Sequence, residues 1–139
     1  MRLHMVASAK SNVCRTKLIT LCTLLLLMLV GISCGNEEEQ IAAAMTGGEP
    51  SRGKIAISRY GCSACHTIPG VRDANALVGP PLNQIASRSY IGGVLPNTPD
   101  NMIRWVQDPP AVDHLTAMPK LGVNDQDARD IASYLYTLK

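Results

Sequence analysis

The sequence predicts an all-α domain of short helices joined by Gly/Pro-rich loops. Three observations carry that reading. Apolar residues recur at helical spacing in short segments that begin at capping residues. All nine prolines fall at or after Pro50, so the folded part is broken into short elements. No stretch alternates apolar and polar residues strongly enough to be a strand. The folded part spans 51–139. A domain of that size has a thin core, and a metal, disulfide or cofactor often completes it.

A different kind of sequence precedes it. Residues 1–17 carry Arg2, Lys10, Arg15 and Lys17 and no acid, and Leu18 to Ile32 is nearly continuous Leu, Ile, Val and Met. A basic segment followed by a short apolar run is an export-signal layout. Positive charge stays on the cytoplasmic side while the apolar run enters the bilayer. The run is short for a spanning helix, which takes about 20 residues. It ends in Val30-Gly31-Ile32-Ser33-Cys34-Gly35, which resembles the lipobox of bacterial lipoproteins. Ser33 and Cys34 fit that pattern; Gly31 stands where the family usually has Leu. The resemblance implies that 1–34 is an export signal or membrane anchor and that Cys34 is lipidated and becomes the new N-terminus. An uncleaved anchor and cleavage to a soluble form are the alternatives.

Residues 35–50 hold Glu37-Glu38-Glu39, Ala42 to Ala44 and Gly47-Gly48. They lack bulky apolar residues to offset ordering entropy and read as a flexible acidic linker. The net charge of +2 is too mild for a nucleic-acid binder, and no long basic run supports one.

Within 51–139 the first helix runs from Ser51, its expected N-cap, to Tyr60. Gly53 and Ile57 share a face, and a Gly there lets another helix approach closely. A second helix runs from Pro99 to Gln107, capped by Thr98 and stopped by Asp108-Pro109-Pro110. The last spans 124–139, with Asn124 as cap, Asp127 at the third helical position, and Ala128, Ile131, Leu135 and Leu138 as its apolar stripe. The first and last helices are expected to cross.

Of five cysteines, Cys14 and Cys22 sit in the leader and Cys34 ends it. Only Cys62 and Cys65 remain in the domain, and His66 follows at once. In an exported protein the motif C-x-x-C-H reads as covalent attachment of one c-type haem. Two thiols three positions apart on a helical turn can reach both vinyl groups on one haem edge, and the next residue sets an imidazole under the iron. A thioredoxin-like pair would need a βαβ surround. A zinc site would need a second ligand pair, and the one later histidine is His114. A disulfide across two residues would contribute little.

The second axial ligand is sought in the rest of the domain. Met102 lies mid-helix on an apolar face and suits core packing. Met118 stands in Ala117-Met118-Pro119, where the proline holds it extended, as a loop ligand requires. His114 beside Asp113 is the other candidate, and an open site the third possibility.

These residues together identify the domain as similar to a class I cytochrome c, in particular the small bacterial type and the similar domain fused to haem–copper oxidase subunits. The resemblance covers 51–139. It rests on Cys62-Ser63-Ala64-Cys65-His66, Gly79-Pro80-Pro81-Leu82, Met102-Ile103-Arg104-Trp105 ending at Asp108-Pro109, and Met118-Pro119. It implies an all-helical fold wrapped around the haem. It further implies that the Pro80 carbonyl accepts from the proximal imidazole, that Leu82 packs on the haem, that Arg88 contacts a propionate, and that Tyr90 and Trp105 are pocket residues. A solvated charge at Arg88 and ordinary core at Trp105 are the bland alternatives. The family's first helix usually carries an aromatic where Ile57 stands.

With His66 and Met118 both on iron, no position would be open to a substrate. A thioether ligand in an apolar pocket favours the ferrous state. The expected function is that of a monomeric electron-transfer protein rather than an enzyme. It would pass one electron at a time between membrane-associated respiratory or photosynthetic complexes, such as a quinol-oxidising complex and a terminal oxidase. It would be tethered in the periplasm or at the outer face of the cytoplasmic membrane. The alternatives are an electron-transfer subunit of a dehydrogenase, oxidase or reductase, and a haem enzyme or gas sensor with a labile sixth ligand.

Overall fold

The two ends of the folded region meet at Gly53. The computed structural model describes residues 37–139; the expected export signal 1–34 with Cys34 lies outside them. In sequence order the helices are α1 (Glu37–Thr46), α2 (Pro50–Arg59), α3 (Pro99–Gln107), α4 (Pro109–Val112) and α5 (Asp125–Tyr136), with single 3-10 turns at Cys62–Ala64 and Ile85–Ser87. Helix α2 crosses α5 with their backbones in contact. A Cβ placed on Gly53 would lie 1.9 Å from the Asp130 carbonyl oxygen, and one on Gly48 would lie 2.2 Å from that of Arg129. Any side chain at either position would force the helices apart. Ala56 and Ile57 of α2 and Ala128, Ile131, Ala132 and Leu135 of α5 fill the crossing, each at most 5% exposed.

The local chemistry explains most element ends. The Asn124 side chain accepts from the Asp127 N–H at 2.9 Å, capping α5. Thr98 accepts from the Asn101 N–H, capping α3, and Pro99 takes the first helical position. At α2 the expected cap is displaced. Pro50, with its preset φ, occupies the first helical position, so Glu49 becomes the N-cap residue and makes no side-chain cap bond. Ser51 lies inside the helix and donates to Glu49 Oε1 instead. Asp108 ends α3 and at once caps α4 through the Ala111 N–H, so the Pro-Pro pair restarts a helix as well as stopping one.

Two expectations are corrected. The described part of the expected linker 35–50 is not structureless, because α1 occupies Glu37–Thr46, with Ala42 and Thr46 only 1% and 2% exposed. Three glutamates at a helix N-terminus favour the dipole, and the alanines carry high propensity. Thr46 Oγ1 donates back to the Ala42 carbonyl at 2.9 Å, Gly47 closes the helix at φ +68°, and Lys139 pairs with Glu38 at 3.1 Å. A two-stranded antiparallel ribbon is also present, β1 (Tyr90–Ile91) with β2 (Leu95–Pro96), in register Tyr90↔Pro96 and Ile91↔Leu95. Strands of two residues are too short to show alternation. Gly92 and Gly93 turn the backbone between them at positive φ.

Asp130 secures the crossing on its outer side. Its carboxylate is 1% exposed and accepts from Arg52 Nε at 2.8 Å, Arg52 Nη2 at 3.0 Å, the Glu49 N–H at 2.7 Å and Gln126 Nε2 at 3.0 Å. Burial alone would raise this carboxyl. The Arg52 bonds, the Glu49 N–H, the Gln126 amide and the Arg52 charge outweigh it and hold Asp130 below its ordinary value. A depressed carboxyl contributes stability that is full above about pH 4 and is lost as pH falls through the folded-state value. Asp130→Asn should therefore cost about 1–3 kcal/mol at neutral pH. In denaturant melts taken from pH 7 to pH 2, its gap from the wild type should narrow steadily below about pH 4.

Candidate functional site

The inner side of the crossing opens into a cleft of about 600 Å³. Ile57, Ile131 and Leu135 from the crossing line it, with Ile68, Ile85, Ile91, Met102 and Val106 from the intervening sequence. The lining is overwhelmingly apolar, so the cleft suits a large hydrophobic ligand.

One wall is built by the turn that follows α2. Gly61, at φ +71°, ends the helix, and the backbone tightens into the 3-10 turn Cys62–Ala64. The N–H groups of Cys65 and His66 both donate to the Cys62 carbonyl, at 3.2 and 3.0 Å. This turn sets Cys62, Cys65 and His66 on the cleft. Both thiols are free and partly buried. Burial pushes the Cys62 thiol above its ordinary pKa, and the neighbouring Cys65 adds to the shift. Among the described residues no group of three or more Cys, His, Asp or Glu converges as a metal site, so the zinc alternative lacks a ligand set.

His66 is held from below by the segment 79–82. Its Nδ1 is 2.8 Å from the Pro80 carbonyl oxygen, which assigns the proton to Nδ1 and leaves Nε2 with a free lone pair. The segment is itself tied to the residues around the Cys62–Ala64 turn: the Gly79 N–H donates to the Cys65 carbonyl at 2.7 Å and the Leu82 N–H to that of Thr67 at 2.8 Å. Gly79 lies under the imidazole, where a Cβ would come 2.4 Å from His66 Cε1.

Met118 lines the cleft from the loop between α4 and α5, and its N–H donates to Thr116 Oγ1 at 3.2 Å. His114 is exposed and does not line the cleft. Leu82, Arg88, Tyr90 and Trp105 all reach the cleft. Trp105 is 9% exposed and packs under Gly92, whereas Tyr90 is 59% exposed at the rim. Arg88 is not a free surface charge: its Nη2 donates to the carbonyls of Pro81 and Asn83. The structure thus brings Cys62, Cys65, His66, Pro80, Leu82, Arg88, Tyr90, Trp105 and Met118 to one cleft. Sequence reading assigns no role to Gly79 or Thr116. A Gly ahead of Pro-Pro and a Thr two residues before Met118 are the available signals. Neither says what it touches.

A large apolar cleft, two unpaired thiols one turn apart and an oriented imidazole fit a covalently attached porphyrin. The fold and site are those of a small helical haem protein. The chain belongs to the cytochrome c family, whose model matches residues 51–139. The mostly helical fold with its short ribbon agrees with the cytochrome c fold. Membership implies a covalently bound c-type haem and haem-based electron transfer. The protein is also similar to cytochrome c oxidase subunit 2 of Alkalihalophilus pseudofirmus, with 27% identity over 90 residues. That match covers 64% of this chain and 25% of the relative, so it spans about a quarter of that protein's length. No solved structure matches the chain. Among the described residues no helix is long and apolar enough to cross a membrane.

Gly79→Ala should push the imidazole off the Pro80 carbonyl. Its φ is not in the left-handed region, so the cost is steric and on the order of 1–3 kcal/mol. The expected result is a lower melting temperature together with a reduced yield of covalent haem on gels stained for haem.

Proposed function

We propose that the protein is a one-electron carrier with a single c-type haem, bonded through Cys62 and Cys65 and ligated by His66 and Met118. The observation that carries this reading is that two free thiols, an imidazole with its Nδ1 already engaged, and a loop methionine all line one apolar cleft. Bound there, the haem supplies a one-electron iron couple whose potential a thioether ligand raises. The protein's own residues do the rest. Pro80 fixes the imidazole plane and its basicity. The isoleucines exclude water. With Met118 as second ligand, no coordination position is left for a substrate. Exposed apolar side chains at the cleft mouth, notably Val78 and Leu121 with Tyr90, support transient docking of redox partners there.

A lipid on Cys34 would hold the carrier at the outer face of the cytoplasmic membrane and raise its effective concentration near membrane partners. Those partners would be a quinol-oxidising complex on the donor side and a terminal oxidase on the acceptor side. The likeness to an oxidase subunit 2 favours a second reading, that of a permanent electron-transfer subunit. Stoichiometric co-purification with a membrane oxidase in mild detergent would decide for it.

The ligand assignment is tested by Met118→Ala. The ferric variant should lose the methionine–iron charge-transfer band, and the ferrous variant should take up carbon monoxide stoichiometrically where the wild type takes up essentially none. Cys62→Ser with Cys65→Ser should release all haem on acid–acetone extraction. A wild-type protein that binds carbon monoxide readily at neutral pH would instead favour a gas sensor or haem enzyme.

Cys34→Ser tests the tether. The variant should leave the membrane fraction or retain its signal, with a mass lacking acyl groups. Unchanged mass and membrane retention would point to an uncleaved anchor.

A further inference from the structure

Asn97 lies outside the cleft lining, in the short segment between β2 and α3, yet it uses its whole side chain. Its Nδ2 donates to the carbonyls of Ile85 and Arg88, both at 2.8 Å. Its Oδ1 accepts from the Tyr136 hydroxyl at 2.7 Å. Tyr136 is 8% exposed on α5, and burial pushes its phenol up to about 12, so it stays a donor throughout the physiological range. The Asn97 N–H adds a bond to the Ser89 carbonyl at 3.0 Å. One amide therefore fastens the segment 85–89 to the last helix.

That segment carries Arg88, whose guanidinium grips the carbonyls of Pro81 and Asn83. Those two carbonyls flank Leu82, and Pro81 follows Pro80 directly. The carbonyl of Pro80 is the acceptor for His66. Tyr136 and Asn97 thus fix the backbone of Arg88, and the Arg88 side chain in turn holds the segment that orients the imidazole. We propose that Asn97 is a positioning residue for the iron site, acting through Arg88 on the Pro80 carbonyl and so on the donor strength of His66. The proposal rests on the reading of His66 as a haem ligand.

The direction follows from ligand chemistry. A firm acceptor on Nδ1–H makes the imidazole a stronger donor to iron and favours the ferric state. Releasing Arg88 lets the Pro80 carbonyl drift, which weakens that donor and favours the ferrous state. A carboxylate at 97 would add its own charge effect, so the informative variants are neutral.

The experiment compares the full-length holoprotein with Asn97→Thr, Arg88→Lys and their combination. The readouts are reduction potential and the iron–imidazole stretching frequency of a five-coordinate ferrous form made on a Met118→Ala background. Asn97→Thr should raise the ferrous-to-ferric ratio at fixed ambient potential up to about tenfold, or about 59 mV for one electron. It should also lower the stretching frequency. Arg88→Lys keeps the charge but loses the fork, and should move both readouts the same way. The combination should move them no further than the larger single change, because one residue acts through the other. If Asn97→Thr does not accumulate, Asn97→Ala is read identically. A variant with a lowered melting temperature but wild-type potential and frequency overturns the proposal, as does full additivity with Arg88→Lys. A wild-type protein without haem, or with iron not ligated by His66, would instead defeat the underlying reading before any variant is made.

Discussion

Backbone contact between α2 and α5 at Gly53 is the constraint on which the rest of the structure depends. A helix pair that close has two sides with different duties. On the outer side Asp130 gathers Arg52, the Glu49 N–H and Gln126, and so joins the start of α2 to α5. On the inner side Ile57, Ile131 and Leu135 face the cleft. The Cys62–Ala64 turn follows α2 closely, so the crossing also sets where Cys62, Cys65 and His66 stand. Widening it by one methyl group would move the back wall of the cleft and the anchor of its chemistry together.

Much of this is legible in the sequence because the signals are local. Gly53 and Ile57 on one face, the Asn124 cap and the Ala128–Ile131–Leu135 stripe predict two helices and their crossing, and the structure has both. C-x-x-C-H points to a haem wall through its spacing, and Gly-Pro-Pro-Leu does so only through the resemblance to class I cytochromes c. What is not legible depends on distant partners. The segment Glu37–Thr46 looks like a linker because it has no bulky apolar stripe. Its helix is secured by an alanine and a threonine that bury, and by Lys139 at the far end of the sequence. The ribbon of Tyr90–Ile91 and Leu95–Pro96 is too short for periodicity. Arg88 resembles a propionate contact by position, but its partners in the structure are the carbonyls of Pro81 and Asn83, which no sequence pattern announces.

That pairing changes how Arg88 should be understood without removing it from the cleft. A guanidinium offers five N–H groups, and the two carbonyls engage only Nη2. Among the described residues Nε and Nη1 make no hydrogen bond, which leaves donors for an anionic group. One residue can thus hold the segment beneath His66 and still meet a carboxylate. A lysine could meet the carboxylate but, without the planar fork, would not also hold both carbonyls.

The two sides of the site differ in how much protein holds them. The His66 side is tied by Gly79 to Cys65, Leu82 to Thr67, His66 to Pro80 and Arg88 to Pro81 and Asn83. The Met118 loop has the Thr116 hydroxyl, the Thr116 N–H to the Asp113 carbonyl and an exposed Lys120–Asp108 pair. Among the described residues none of the N–H groups of 119–123 donates to another backbone carbonyl. An exposed ion pair contributes at most about 1 kcal/mol. The imidazole is therefore preorganised by the fold, whereas on the proposed ligation much of the order of the Met118 loop would come from the bond to iron itself. On that ligation, such a division would suit a methionine that stays bound through both oxidation states.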